Sequence, residues 1–166
     1  MAVVFIGLAG GACAGVGSGV GGAPPELRAV GPMAVADRLL AERMELLNER
    51  SPTWKTAVDS LWGTSFRVLV GTPDQVRRLV PELADHPLDN LGEVIPLLSS
   101  TGEMIGAVAV VDVETLTEMV RAAGLPRSVL EEDLDRILIH EVYGHVVPFA
   151  LSGGCADPLP GETVLS

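Results

Sequence analysis

Basic residues are scarce in this chain. Lys and Arg number 11 against 22 Asp and Glu, a formal net charge of -11. A surface of that sign repels phosphate backbones, so nucleic acid is not expected as a partner. Aromatic residues are scarcer still, at 4%, and a core must therefore rest on Val, Leu, Ile, Ala and Met. There are only two cysteines, Cys13 and Cys155. Neither sits in a C-x-x-C pair, which excludes a cysteine zinc ribbon. Charge is missing altogether ahead of Glu26. The run from Ala2 to Val20 is apolar or small, as in a secretory h-region. It lacks a basic n-region, and its glycines weigh against a membrane-spanning helix. Cys13 follows "GGA" as in a lipoprotein box, but Gly10 replaces the large aliphatic residue such a box carries.

What is present suffices for one domain. The chain has 166 residues, and 48% are hydrophobic, enough to bury a core and too many for a disordered chain. We expect a Gly-rich, signal-like leader and linker over residues 1–32 and a single domain over 33–166, with the short tail after the last motif suggesting a truncated C-terminus. The leader points to an exported protein, periplasmic, extracellular or membrane-tethered. Removal of the leader would leave Cys155 as an odd thiol.

Periodicity predicts the elements. Leu39, Leu40, Met44 and Leu47 form one stripe of a helix over Met33 to Arg50, closed at Ser51-Pro52. The stretch from Trp54 to Trp62 is ambiguous. "FRVLVG" reads as a strand. "TPDQVRRLV" reads as a helix capped at Thr72 with Pro73 in its first position. Val94 to Leu98 and Ile105 to Val113 read as strands of a hairpin turning at Thr101-Gly102. "VETLTEMVRAAG" reads as a helix with Asp112 before it and Gly124 at its C′ position. A capping box of Ser128 and Glu131 is expected to open the last long helix, with its acidic first turn solvated. The order predicts an α+β fold: helices packed on a mixed sheet, with the final motif on the last long helix.

That motif is "HEVYGH". His140 and His145 supply imidazole nitrogens of the kind zinc prefers, and Glu141 stands beside the first. Glu141 falls on the stripe of Leu134 and Ile137, so it is expected to face inward and to need a partner or a function. The spacing is five, where the H-E-x-x-H helix of zinc proteases uses four. On a regular helix, positions four apart differ by about 40° and positions five apart by about 140°. A single π-bulge would absorb the extra residue and bring the histidines together. Gly144 would ease that deformation, and Pro148 removes a helical hydrogen bond just beyond it.

His140-Glu141-Val142-Tyr143-Gly144-His145 resembles the H-E-x-x-G-H zinc motif of the dipeptidyl peptidase III family and, more broadly, zincin-like metallopeptidases. The resemblance covers six residues of the chain. It implies Zn2+ as cofactor, His140 and His145 as ligands, Glu141 as the catalytic base, a peptide or protein substrate and a small zincin-like domain. In glutamate-type zincins a third ligand comes from a later helix. Glu162 is the candidate, with Asp157 and residues beyond Ser166 as alternatives. Each residue also has a plain reading. The histidines would be partly buried helix residues, Tyr143 a packing or rim residue, His86 a turn residue, and Trp54 and Trp62 core. The functional expectations are a zinc metallopeptidase, a non-enzymatic exported interaction module with an incomplete metal site and, ranked last, a structural zinc site, for which four protein ligands are needed and the sequence offers too few.

Overall fold

A computed structural model describes residues 26–152. Five strands form one mixed sheet in the order β1-β2-β3-β5-β4: β1 (Arg28–Val30), β2 (Met33–Val35), β3 (Arg67–Gly71), β4 (Gly92–Leu98) and β5 (Met104–Val111). The β2-β3 and β3-β5 pairs are parallel, while β1-β2 and β4-β5 are antiparallel. The helices are α1 (Arg38–Arg50), α2 (Pro52–Leu61), α3 (Pro73–Leu79), α4 (Val113–Ala122), α5 (Arg127–Ile139) and α6 (Val147–Ser152). A 3₁₀ turn covers Pro81–Leu83, and a π-helical segment, His140–Val146, joins α5 to α6.

The sheet is covered on both faces. β5 shows why: Ala107, Ala109 and Val111 enter the larger core with α1, α2, α4, α5 and the π segment, whereas Val108 and Val110 enter a second core with Val76 and Val80 at α3. A strand buried on both faces carries a continuous apolar run instead of alternation. Parallel pairing of β2 with β3 requires a crossover, which α1 and α2 supply.

Local chemistry sets the boundaries. Asp37 Oδ1 accepts from the Leu40 N–H at 3.0 Å and starts α1. The first helix is therefore shorter than its sequence predicts, because Met33–Val35 pairs in the sheet. Arg28–Val30, placed in a linker by its flanking Pro and Gly, is likewise a strand. Ser51 ends α1 and caps α2 at once, its hydroxyl accepting from the Trp54 N–H at 3.2 Å. Trp54 is fully buried, as expected of core. Trp62 is 59% exposed, contrary to that expectation, because it follows α2 and precedes Gly63, whose φ of 85° turns the chain away.

Thr72 opens α3, its N–H donating to Gln75 Oε1 at 3.0 Å. Asp112 caps α4 through the Thr115 N–H at 3.0 Å. The β4-β5 hairpin turns where expected, at Gly102 with φ 82°. At the end of α4 the N–H of Leu125 reaches the Val120 carbonyl and that of Gly124 the Arg121 carbonyl, with Gly124 at φ 66°. This is a Schellman end, and it needs the left-handed conformation glycine adopts freely.

The start of α5 differs from the capping-box expectation. Pro126, extended at φ -70° and ψ 157°, is the N-cap, so Ser128 is already inside the first turn. The acidic run beyond it is not simply solvated. Arg43 of α1 donates from Nε to Asp135 Oδ1 at 2.8 Å and from Nη2 to Oδ2 at 2.5 Å, and Glu131 lies 3.4 Å from Nη1. The hydrogen bond and charge of Asp135 raise the Arg43 pKa above its usual value, against the opposing effect of burial. This fork fixes α5, and hence the motif that follows it, against α1.

Replacing Arg43 with Met should cost roughly 1–2 kcal/mol, between the ranges for exposed and buried pairs. Lys should recover only part of it, since a single ammonium cannot make the two-pronged contact. Urea unfolding of the three proteins measures this; equal midpoints for Lys and Arg would show that charge alone matters.

Candidate metal centre at the end of α5

Leu130, Leu134 and Leu138 bury one stripe of α5, and Val142 and Val146 continue it through the π segment. The hydrogen-bonding pattern changes at His140–Val146. The Val147 N–H donates to the Val142 carbonyl, five residues back. That adds a residue to the turn without breaking the buried stripe. Pro148 then stands in the first turn of α6, where its missing N–H is tolerated.

The wider turn brings the histidines together. His140 Nε2 and His145 Nε2 are 3.2 Å apart, the ring centroids are 4.9 Å apart, and the rings meet edge to face at 79°. His140 is exposed and His145 half-buried. Two nitrogens at 2.0–2.1 Å from a tetrahedral zinc stand about 3.3 Å apart. The pair therefore matches one edge of such a tetrahedron. Without a metal, the same approach makes a hydrogen bond when one neutral ring donates and the other accepts.

Glu141, next in the chain to an exposed histidine, is 6% exposed and the only buried charged residue among those described. Its inward orientation follows the stripe predicted for it. Its carboxylate lies over Gly92 at the start of β4, beside Ile137. Sequence reasoning does not anticipate Gly92, because the contact joins distant parts of the chain and a glycine carries no side-chain signal.

Gly144 plays a different part from the one expected. Its φ is not positive, and a Cβ built there would meet nothing closer than His140 Nδ1 at 3.9 Å. The π turn thus does not depend on a missing Cβ; the glycine leaves space beside the His140 ring. Tyr143 is 47% exposed at the rim. His86 pairs through Nε2 with Glu93 Oε1 at 3.2 Å, in the loop before β4. Glu162 and Asp157, the candidate third ligands, lie outside the described residues. Among the described residues no group of three His, Cys, Asp or Glu side chains is arranged to hold a metal ion. No family model, curated protein or solved structure matches the chain.

Gly144→Ala should leave the fold intact and stabilise it by up to about 1 kcal/mol, the helical preference of Ala over Gly. Thermal melts of the two proteins decide this. A loss of stability of similar size would show that the π turn requires glycine.

Proposed function

We propose that the chain is a zinc-dependent hydrolase acting on peptide bonds, with the zincin-like arrangement its motif suggests. The observation that carries this is the 3.2 Å separation of the two imidazole Nε2 atoms, produced by a π turn between residues five apart. His140 and His145 would hold the ion, with Glu162 completing the ligand set. Bound zinc supplies Lewis-acid polarisation of the scissile carbonyl and makes water a better nucleophile at neutral pH. Glu141 takes the proton of the attacking water at a carboxylate oxygen and returns it to the leaving amine.

The substrate would run along β4. This strand closes the sheet and pairs only with β5, so no strand occupies its outer edge among the described residues. An extended peptide adds to such an edge by main-chain hydrogen bonds. Pro96 sits within β4, in keeping with an edge strand, where an N–H can be missing without breaking a ladder. The π segment packs on β4 and β5, which places the edge beside the motif. The signal-like leader goes with an exported enzyme. No helix of the described residues is long and apolar enough to cross a membrane.

A second reading, an exported interaction module with an incomplete metal site, is favoured by the His140–His145 hydrogen bond, which closes the pair without any ion.

Zinc content after purification without chelators separates the two. Near-stoichiometric zinc in the wild type, lost in His145→Ala, is expected for the hydrolase. Glu141→Gln should keep its zinc and lose about 100- to 10,000-fold in kcat. A folded wild type that takes up no zinc would leave the interaction module.

A further inference from the structure

We propose that Gly92 is the seat of the Glu141 carboxylate, a positioning residue that sets the base against the edge strand. The inference rests on the hydrolase reading for its catalytic meaning and on geometry alone for the seat. Gly92 pairs with Val111 in the β4-β5 ladder and has no positive φ. The backbone would accept any residue there. What excludes a side chain is the helix opposite. A Cβ at Gly92 would fall 2.7 Å from Ile137 Cγ2 and 3.1 Å from Glu141 Cδ, and closer still to Glu141 Oε1. Real Cβ atoms essentially never come within 3.0 Å of another heavy atom.

Two consequences follow from that crowding. The carboxylate rests directly on strand backbone, with no side chain between it and the edge along which a peptide would lie. Ile137 and Glu141 both crowd the space above Gly92. Ile137 is branched and packed against the core, and a Glu141 oxygen is the nearest atom a Cβ at 92 would meet. A methyl group at 92 would therefore displace the carboxylate first. Rate depends steeply on where a proton acceptor stands, so a shift of about 1 Å matters even when the fold survives. Neither histidine ring is among the three nearest atoms a Cβ at Gly92 would meet.

The test is a double-mutant cycle in the full chain: wild type, Gly92→Ala, Glu141→Ala and the double variant, each with melting temperature, zinc content and peptide hydrolysis. Gly92→Ala should lower the melting temperature by several degrees in the wild-type background. In the Glu141→Ala background at least half of that drop should disappear, since only the Ile137 contact remains. Zinc content should match the wild type in Gly92→Ala. Its kcat should fall about 10- to 100-fold with little change in KM, and it should add no further loss to Glu141→Ala. Equal temperature drops in both backgrounds would overturn the seat. So would full kcat in Gly92→Ala beside an active wild type. If Gly92→Ala fails to fold, recovery of folding in the double variant supports the seat and continued failure overturns it. An inactive, zinc-free wild type with a coupled cycle would sink the hydrolase reading and leave the seat standing; an active one with an additive cycle would do the reverse.

Discussion

The hydrogen bond from the Val147 N–H to the Val142 carbonyl is the constraint on which this end of the molecule depends. A regular helix would turn His145 about 140° away from His140. The wider turn cancels that rotation and sets the rings 3.2 Å apart. It also keeps Val142 and Val146 on the buried side and lets α6 pack against α2. A π turn has poorer packing along its axis than an α turn and survives where neighbours hold it. Here the core on one side and the α5-α1 fork on the other do so.

That fork deserves weight for a second reason. Arg43 has a side chain only 14% exposed, yet both carboxylates it meets remain in partial contact with water. It binds across α1 and α5 without the full desolvation cost of a buried pair. The motif therefore extends from a helix anchored by charge at Glu131 and Asp135 and along its length by Leu130, Leu134 and Leu138. A site on an element held in this way keeps its geometry better than one on a loop.

Much of the fold is legible in the sequence because its signals are local. Asp112, Thr72 and Gly124 act within a few residues, and the caps they form are where spacing predicts them. β1 and β2 are not legible, since three residues carry no period and their pairing is tertiary. Asp37, the cap that limits α1, is visible only once Met33–Val35 is known to be strand. Ser128 misleads because Pro126 is already extended and starts the helix earlier. At the site, the five-residue spacing itself suggests the π turn, since a regular helix would turn the two histidines apart. Gly92 is silent for the opposite reason: its contribution is the space its missing side chain leaves for a residue of another element.

The placement of neighbours His140 and Glu141 carries the final step. One side chain is exposed and the next is 6% exposed, so the boundary between solvent and core passes between two consecutive residues. Burying a carboxylate is costly unless polar groups compensate it, and Glu141 sits on the side of the helix that Leu134 and Leu138 bury with apolar side chains. The glutamate persists there together with a strand glycine that makes room for it. His140 meets solvent with its Nε2 3.2 Å from that of half-buried His145, and the Glu141 carboxylate lies against Gly92 at the start of β4. A single change of pitch over His140–Val146 brings the two rings together while Glu141 keeps to the buried side.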